Sequence, residues 1–395
     1  MKILYISNKP IYPKIDGGCV AMHNFLSCLL ETGNQIKHFT FSTHKHTFDL
    51  NNYPITISEK ILPEGISIDT KVTPKNAFLN LFNKTSYNIN RFYSKEAELK
   101  IEKEIRNENY DIIILESIFL SSYIKVIKKN SNAKIHLRSH NVEFKIWEKL
   151  EGNEKKVFKK IYLKKLAEDL KFNEIKALSE VDVILTISED DKRTFKNLGL
   201  KTTIETIPVA VKTSAAIKNY NQSSFFHIGA MNWQPNIEAV NYLSSKIFPI
   251  ILESQKEAKL TLAGSFMKET TLENKNNAIL NIGFVENVDE FIAEQGILLA
   301  PILSGSGVRI KILESMAIGT PVVTTILGAE GLNVTSEKEI FIAKNQEEFI
   351  EYSLKLYNSK ALRKEIGEKA KTYIQANHNK NIVIKKLSEI IEGRA

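Results

Sequence analysis

The apolar positions of the first 200 residues follow two alternating patterns. Short continuous apolar runs, such as Lys2–Ser7 (KILYIS), predict strands that are buried inside a parallel sheet. Between these runs, apolar side chains recur every three or four residues, as they do from Met22 to Leu30, and this spacing predicts helices. A long basic helix is predicted before the last run. The strands predicted in this half are residues 2–7, 35–41, 111–115, 133–138 and 181–187.

The alternation relaxes near residues 204–224, where polar residues and a proline replace it, and then resumes. Strands that alternate with helices predict parallel sheets covered on both faces, so we expect two doubly wound α/β domains in tandem. Ligands of such folds bind at the carboxyl ends of the strands, and two such domains offer a cleft. The strands predicted in the second half are residues 225–230, 258–264, 279–285, 296–303, 321–325 and 340–343.

Length and charge narrow the class of protein. A chain of 395 residues exceeds the roughly 250–300 at which one core stops growing, which agrees with two domains. The formal net charge of +8 favours an anionic partner, which is nucleic acid, anionic lipid or a phosphorylated substrate. Two cysteines in an apolar helical pattern favour a reducing compartment. The N-terminal apolar run is too short for a signal peptide, so we expect a cytoplasmic location.

One stretch, SGSGVRIKILESMAIGTP, places positive charge where it is unfavourable. It begins at Ser304, follows a predicted strand, and continues into a helix predicted over residues 308–318. Arg309 and Lys311 fall in the first turn of that helix, where the dipole already supplies positive charge. On a helical projection Arg309 lies on the apolar side and reaches past the helix end toward the loop, whereas Lys311, Glu314 and Ser315 lie on the opposite side.

The loop itself consists of small residues, which let backbone N–H groups approach a ligand closely. Two cations beside a helix N-terminus would attract a multiply charged anion, and a diphosphate suits the site best. The alternative is a simple turn, with Arg309 bound to a neighbouring carboxylate and Lys311 paired with Glu314 on the surface. The loop residues are Ser304, Gly305, Ser306 and Gly307.

The motif, followed by GAEGL at residues 328–332, closely resembles the donor-site signature of the retaining glycosyltransferases of family 4. This resemblance implies the GT-B fold, in which two Rossmann-like domains face each other across a cleft. It also implies domains at residues 1–205 and 223–378, a linker at 206–222, and a C-terminal helix at 379–395 that returns to the first domain. Further segments that match the family are residues 16–18, 138–150, 186–192, 207–211 and 226–243.

The resemblance assigns donor-side roles to matching residues. Glu314 matches the acid that binds the ribose hydroxyls of a nucleotide sugar, while the preceding acid of the family pattern is replaced by Ser306. The family's diphosphate cations follow the first strand of the second domain, and the segment there, GAMNWQPN from Gly229, has none. Arg309 and Lys311 are therefore expected to replace them. Gly17, Gly18 and Gly229 are expected to let backbone approach the donor, although an ordinary turn also explains Gly17 and Gly18.

On the other side of the expected cleft, the resemblance implies that His140 is the histidine that lies near the donor sugar. It also implies that His140, Arg309 and Lys311 are the catalytic residues. A structural role is the alternative for His140. Asn141 is expected to cap the following helix. Glu143 remains open between a base, a sugar ligand and a helix-dipole partner. The acceptor-side candidates are Asp16, Arg91, Asn141 and Glu143, with Arg91 in a loop at residues 86–94.

These assignments predict transfer of a sugar from a nucleoside diphosphate sugar to a glycan or lipid-linked acceptor, with retention of anomeric configuration. The expected setting is cell-surface polysaccharide or glycoconjugate assembly. No cofactor and no metal are expected, because Glu189, Asp190 and Asp191 are explained as first-turn acids of a helix capped by Ser188. The alternatives are a nucleotide-sugar epimerase or phosphorylase on the same fold. A nucleic-acid-binding protein is a remote one, since no binding module is recognisable.

The charge is concentrated in one segment, from Lys145 to Lys176, which holds ten lysines against six acidic residues. Apolar residues lie among these lysines, and such a combination is typical of helices that rest on anionic lipid. We expect either peripheral contact with the cytoplasmic membrane face or a solvated amphipathic helix. The apolar residues are Trp147, Phe158, Ile161, Tyr162 and Leu163.

Overall fold

The computed structural model describes residues 1–73, 80, 85–212, 218–267 and 277–394. These residues form two compact units. The first unit comprises residues 1–14, 22–208 and 384–395, and the second comprises residues 15–21 and 209–383. The predicted linker at 206–222 includes residues 213–217, which lie outside the described residues.

The first unit is built on a seven-stranded parallel sheet with the order β3-β2-β1-β4-β5-β6-β7. The central strands are buried on both faces, which explains their continuous apolar runs. All five predicted strands are confirmed, whereas β3 and β7 at the two edges were not predicted. The strands are β1 (Lys2–Ser7), β2 (Gln35–Ser42), β3 (Glu64–Ser67), β4 (Ile112–Glu116), β5 (Lys134–Ser139), β6 (Val183–Thr186) and β7 (Thr203–Thr206).

Helices connect these strands and cover the sheet. The prediction of a single long basic helix is wrong, because the chain breaks at Glu154, which has an extended backbone and ends the first of two helices. The described helices are α1 (Gly17–Glu31), α2 (Ile55–Ile61), α3 (Tyr87–Asn90), α4 (Lys95–Asn107), α5 (Ile124–Asn130), α6 (Glu143–Asn153), α7 (Val157–Ser179) and α8 (Glu189–Asn197).

The second unit repeats the architecture with a six-stranded parallel sheet in the order β10-β9-β8-β11-β12-β13. The prediction of two doubly wound α/β sheets is therefore confirmed. The strands are β8 (Phe225–Ile228), β9 (Leu260–Ala263), β10 (Ile279–Gly283), β11 (Ile297–Ala300), β12 (Val322–Thr325) and β13 (Phe341–Ala343). The helices are α9 (Gln234–Tyr242), α10 (Phe248–Ser254), α11 (Val288–Glu294), α12 (Ile310–Ile318), α13 (Gln346–Asn358) and α14 (Lys360–Asn377). The last helix, α15 (Lys380–Ile391), begins in the second unit and continues into residues 384–395, which belong to the first.

Each sheet has one point at which the strand order reverses, between β1 and β4 in the first unit and between β8 and β11 in the second. Ligands of doubly wound sheets bind outside the carboxyl ends of the strands at such points. The loops that follow these four strands are therefore the places where each unit is expected to hold its ligand.

Helix α12 begins two residues later than predicted. Arg309 is its N-cap, with φ −87° and ψ 95°, and the helix starts at Ile310, so that only Lys311 lies in the first turn. The predicted polar face is also narrower, because Ser315 is fully buried. In the described ranges, no helix combines the length and apolar character that crossing a membrane would require.

Candidate functional site

The loop between β11 and α12 wraps around the guanidinium group of Arg309. Gly305 and Gly307 have φ values of 88° and 85°, which residues other than glycine rarely adopt. This turn brings the carbonyl oxygen of Ser306 to Nη1 of Arg309, which donates a hydrogen bond to it. Nε and Nη2 of Arg309 are buried and have no hydrogen-bond partner among the described residues. Burial lowers the pKa of Arg309 to about 10, so the group remains a cation with two donor atoms available to an anion.

Lys311 is half-buried, and its ammonium group is held inside the unit rather than on the surface. Its Nζ donates to Oδ1 of Asn236 at 2.9 Å and lies 3.0 Å from Nε2 of His227. Burial lowers the pKa of Lys311 to about 7, the Arg309 cation acts in the same direction, and the Glu314 carboxylate opposes the shift. The predicted alternative of an exposed Lys311–Glu314 pair is wrong, because the ammonium hydrogen bonds point into the unit.

His227 fixes the position of the Lys311 ammonium. Its Nδ1 lies 2.7 Å from the carbonyl oxygen of Leu299, so Nδ1 carries the hydrogen and Nε2 accepts from Lys311. Burial lowers the pKa of His227 well below its ordinary value, and the neighbouring Lys311 cation lowers it further. The ring is therefore neutral at physiological pH. His227 and Asn236 lie in the segment that resembled the family, but sequence analysis did not single them out.

Gly229, which follows β8, leaves space for the side chains of Lys311 and Asn236. A Cβ atom at this position would lie 2.8 Å from Nζ of Lys311 and 2.7 Å from Nδ2 of Asn236, closer than a real Cβ atom comes to any neighbour. Nδ2 of Asn236 in turn donates to the carbonyl oxygen of Ala230 at 2.8 Å. Glycine is therefore needed at 229 for the lysine and asparagine to occupy their observed positions.

Gly264, which follows β9, supports the same loop and was missed by sequence analysis. Its φ is 148°, and a Cβ atom there would lie 1.7 Å from the carbonyl oxygen of Gly229. We expect Gly264→Ala to destabilise the second unit by about 4 kcal/mol or more, because it combines backbone strain with a clash. Urea unfolding followed by circular dichroism measures this loss.

The matched control is Gly283→Ala in the same unit. Gly283 also has positive φ, 70°, but a Cβ atom there meets nothing within 4 Å. The Gly283→Ala variant should therefore lower the free energy of unfolding by only about 1–2 kcal/mol, the usual effect of placing alanine in a left-handed backbone conformation. Equal losses in the two variants would contradict the argument that the approach of two backbone loops constrains Gly264.

The remaining donor-side candidates surround the cations. Oγ of Ser304 donates to Oε2 of Glu238 at 2.5 Å, and this bond ties the loop to α9. Ser306 acts through its carbonyl oxygen rather than its side chain. Glu314 is half-buried on α12, and its charge reaches Lys311. The second unit therefore brings together Ser304, Gly305, Ser306, Gly307, Arg309, Lys311, Glu314 and Gly229.

Gly17 and Gly18 are the first two residues of α1 rather than part of a loop, which corrects the prediction. Asp16 precedes them, and its carboxylate accepts a hydrogen bond from the backbone N–H of Cys19 at 2.8 Å. This contact is that of a helix-capping aspartate. The glycine pair thus opens a helix at the carboxyl end of the loop after β1.

In the first unit, a buried carboxylate organises the ends of β4 and β5. Glu116, the last residue of β4, pairs in register with Arg138 of β5, and both side chains are almost completely buried. Oε2 of Glu116 accepts from the hydroxyl of Tyr5 at 2.7 Å, and Oε1 accepts from Nη1 of Arg138 and from Nε2 of His140. Burial alone would raise the pKa of Glu116, but Arg138 and His140 outweigh it and lower the pKa to about 2.

His140 is held in one tautomer by this carboxylate. Burial lowers the pKa of His140, and the Glu116 carboxylate opposes that shift without cancelling it. The neutral ring donates from Nε2 to Glu116, which leaves Nδ1 as its hydrogen-bond acceptor. His140 is among the residues predicted from the sequence, whereas Glu116 is not. The available signal was a charged residue at the end of an otherwise apolar strand.

Asn141 does not cap α6, contrary to the prediction. The N-cap position is Val142, and Nδ2 of Asn141 donates instead to Oε1 of Glu143 at 3.3 Å. Capping comes from a distant residue, since the buried carboxylate of Glu174 on α7 accepts from the backbone N–H groups of Glu143 and Phe144 at 3.1 and 3.0 Å. The structure therefore replaces a local cap with a contact between two helices.

Glu143 is the first residue of α6 and lies in a cluster of acids. Burial raises its pKa to about 7, Asn141 and Arg91 lower it, and Asp191 raises it. Burial also raises the pKa of Glu174 to about 8, and the charge of Glu143 adds to that shift. Arg91, Asn141 and Glu143 are thus brought near one another, with Glu143 able to hold or release a proton near neutral pH.

The acids at the start of α8 behave as predicted. Ser188 is the N-cap, and its hydroxyl accepts from the backbone N–H of Asp191 at 3.1 Å, while Glu189, Asp190 and Asp191 occupy the first turn. In the part of the chain that the structure describes, no group of three or more His, Cys, Asp or Glu side chains is arranged to hold a metal ion.

Comparison with known families gives this geometry a context. Residues 222–359 match the model of the family described as "Glycosyl transferases group 1". This segment is therefore similar to the group 1 glycosyl transferases. It contains Gly229, the loop at residues 304–307, Arg309, Lys311 and Glu314, so these donor-side candidates lie inside the matched segment, whereas Gly17 and Gly18 lie outside it.

Whole-chain comparisons agree with the fold. The chain is 24% identical over 388 residues to a protein of Klebsiella pneumoniae described as an uncharacterized 44.6 kDa protein in the cps region, with 96% of each chain covered. It is similar in structure to sucrose-phosphate synthase from Thermosynechococcus elongatus, with a TM-score of 0.73, 12% identity, and 100% and 98% of the two chains covered. HepE from Anabaena in complex with UDP-glucose gives a TM-score of 0.66 at 11% identity, with both chains covered completely. The fold is that of the GT-B glycosyltransferases.

Proposed function

We propose that the protein is a retaining glycosyltransferase of family 4, which moves a sugar from a nucleoside diphosphate sugar to a glycan or lipid-linked acceptor. We place it in the assembly of a cell-surface polysaccharide or glycoconjugate. The observation that carries the proposal is the pair of half-buried cations, Arg309 and Lys311, at the carboxyl edge of the second sheet. The UDP-glucose in the HepE structure and the cps region of the Klebsiella relative support it.

The donor diphosphate binds to Arg309, Lys311 and the backbone of the loop at residues 304–307. Nε and Nη2 of Arg309 and the third hydrogen of the Lys311 ammonium supply charge-assisted hydrogen bonds. The departing diphosphate gains negative charge as the glycosidic bond breaks, so these preorganised donors stabilise the transition state. Glu314 accepts from the ribose hydroxyls. The two cations do the work that a divalent metal does in other enzymes, and the reaction needs no metal.

The acceptor binds to the first unit, at the carboxyl edge that carries His140. Burial keeps His140 neutral, and its hydrogen bond to Glu116 orients Nδ1 as an acceptor, which is the state needed to contact a sugar hydroxyl. We carry over to His140 the role that the resemblance implies, beside the transferred sugar. Asp16, Arg91, Asn141 and Glu143 are assigned to the acceptor side.

A ligand panel tests the proposal. The melting temperature of the protein is measured with UDP, GDP, ADP, UMP and UDP-glucose, each with and without EDTA. We expect one nucleoside diphosphate and the corresponding nucleotide sugar to raise the melting temperature by several degrees, because a ligand that binds only the folded state stabilises it. EDTA should leave this shift unchanged. If no diphosphate stabilises the protein, the proposal fails. Isomerised UDP-glucose formed without an acceptor would point to an epimerase instead.

The pKa of Lys311 makes donor binding depend on pH. In the free protein this pKa is about 7, and a bound diphosphate would raise it, so binding takes up a proton above pH 7. UDP affinity should therefore fall between pH 7 and 9 by up to about tenfold per unit, in a range where the phosphate itself is fully ionised. Calorimetric titration at pH 8 in two buffers of different ionisation enthalpy measures the uptake. Lys311→Met should abolish it, and proton uptake that persists in this variant would contradict the assignment.

The protein is further proposed to lie in the cytoplasm, with the start of α7 resting on an anionic membrane surface. Residues 155–161 are exposed without a break, and Phe158 is 90% exposed beside several lysines. Val157 and Ile161 are also exposed. Two of the apolar residues named from the sequence do not contribute, because Leu163 is buried and Trp147 packs against the core. An exposed apolar group among lysines suits the interface of an anionic bilayer.

Sedimentation with vesicles tests this contact. We expect the protein to sediment with vesicles that contain phosphatidylglycerol and to remain in solution with pure phosphatidylcholine. Phe158→Ser should weaken binding, whereas Phe172→Ser, a change at another exposed phenylalanine of α7, should not. Equal sedimentation with both kinds of vesicle would favour a solvated amphipathic helix.

A further inference from the structure

The first unit contains a pocket of about 370 Å³, and Arg91 is the one lining residue that the proposed function already assigns to the acceptor side. It lies at the carboxyl ends of β1, β2 and β3, and the residues that follow α3 close it on one side. Five of its lining residues are basic, and no described lining residue is acidic. The basic residues are Lys9, His44, Lys45, His46 and Arg91.

The basic residues come from three separate segments of the chain. Lys9 follows β1, His44, Lys45 and His46 follow β2, and Arg91 follows α3. Cations that come together from distant parts of a sequence repel one another, and a concave surface focuses their field. The pocket is therefore suited to a compact anion, unlike the exposed row of lysines along α7.

Arg91 gives the pocket a rigid wall. Its backbone N–H is bonded to the carbonyl oxygen of Tyr87 at 3.2 Å, and its guanidinium lies 5.4 Å from the ring centre of Phe92. Phe92 is buried and stacks on Phe119 with 5.1 Å between ring centres. Nε of Arg91 is buried and has no hydrogen-bond partner in the described part of the chain. A cation that is fixed in this way is prepared to bind an anionic group.

The pocket adjoins the group formed by Glu116, Arg138 and His140. Strand β1 lies between β2 and β4 in the sheet, so the loop after β1 separates the pocket from the end of β4. Lys9 is close enough to His140 for its charge to contribute to the lowered pKa of that histidine, after burial and Arg138. A ligand in the pocket would therefore lie beside His140 within the same unit.

The volume indicates more than a bare ion. The volume of 370 Å³ is that of roughly a dozen water molecules in the liquid, which is enough for one sugar ring with an acidic substituent. We propose that this pocket binds the acidic group, carboxylate or phosphate, of a saccharide acceptor. The inference rests on the proposed function for its assignment of the ligand as the acceptor. It adds that the acceptor carries a negatively charged group close to the sugar unit that receives the transferred sugar.

Direct titration tests the inference with three sugars that differ in charge. Glucose, glucuronic acid and glucose 6-phosphate are titrated into the full-length protein and followed by NMR. At least one of the charged sugars should bind at least tenfold more tightly than glucose, and the tighter of the two identifies carboxylate or phosphate. Equal binding of all three would overturn the inference. Inorganic phosphate that binds as tightly as glucose 6-phosphate would overturn its saccharide part.

Two variants of the pocket lining locate the binding. Lys45→Glu changes an exposed lining residue and should weaken binding of the charged sugar at least tenfold, while Arg91→Gln should weaken it without reversing charge. The control is Lys129→Glu, which makes the same charge change on an exposed residue at the end of α5, away from the pocket lining. A loss in Lys129→Glu equal to that in Lys45→Glu would overturn the inference.

Titration with UDP separates this inference from the proposed function. Lys45→Glu should leave UDP affinity unchanged, and Arg309→Ala should lose UDP binding while it retains binding of the charged sugar. If UDP binds through Arg309 but no charged sugar binds through Lys45, the inference alone is wrong. If the charged sugar binds through Lys45 and no nucleoside diphosphate binds, the proposed function is wrong and the ligand is not an acceptor.

Discussion

Arg309→Ala is expected to lower kcat/KM by about 10²–10³-fold, because it removes preorganised donors aimed at the charge that develops on the diphosphate. The same variant should be at least as stable as the wild type. Burial of Arg309 is unfavourable in the free protein, where Nε and Nη2 have no partner among the described residues. Opposite effects on activity and stability are typical of a residue that is kept for function.

Steady-state kinetics with the nucleotide sugar selected by the ligand panel, together with thermal unfolding, measure both effects. Lys344→Ala is the control, since Lys344 is an exposed cation of the second unit that lies 3.9 Å from Glu348. It should change neither kcat/KM nor the melting temperature appreciably. An Arg309→Ala protein with normal diphosphate affinity would remove the central element of the proposed function.

Glu116→Ala is expected to destabilise the first unit by about 3–5 kcal/mol, the usual loss when one partner of a buried ion pair is removed. Arg138 would remain buried with its charge uncompensated, and Tyr5 and His140 would lose their shared acceptor. Replacing both charged partners, in Glu116→Gln with Arg138→Met, should recover part of the loss, because no isolated charge remains.

Urea unfolding measures these differences against an exposed pair of the same unit. Glu108 lies 2.5 Å from Nζ of Lys2, and both side chains are exposed. Glu108→Ala should therefore cost less than about 1 kcal/mol. If Glu116→Ala costs no more than Glu108→Ala, Glu116 does not organise the ends of β4 and β5 as described.

The sheets could be predicted from the sequence because their central strands are buried on both faces, as the uninterrupted run in β4 illustrates. The edge strands could not, because β7 is short and alternates between exposed and buried residues. The arrangement around Glu116 could not be predicted from local sequence patterns either. It depends on the register that places Glu116 opposite Arg138, and no spacing along the chain encodes this register.

The same reason explains the two errors at helix ends. Asn141 has the right residue type for a cap, but Glu174, which lies 31 residues from Glu143 in the sequence, reaches the same N–H groups. The sequence predicts a helix over residues 308–318, which places Arg309 in its first turn. The loop instead turns at Gly305 and Gly307, which have positive φ values, and Arg309 has an extended backbone, so the helix starts at Ile310. Long-range contacts and loop turns, rather than periodicity, decided both ends.

The tight arrangement of Gly229, Asn236, His227 and Lys311 has a consequence for the evolution of the chain. A side chain at 229 would displace the lysine, and a change at 236 or 227 would take away one of the two acceptors that hold the ammonium. No single replacement among the four is neutral to the others. In related sequences these positions should therefore be inherited, or exchanged, as one set.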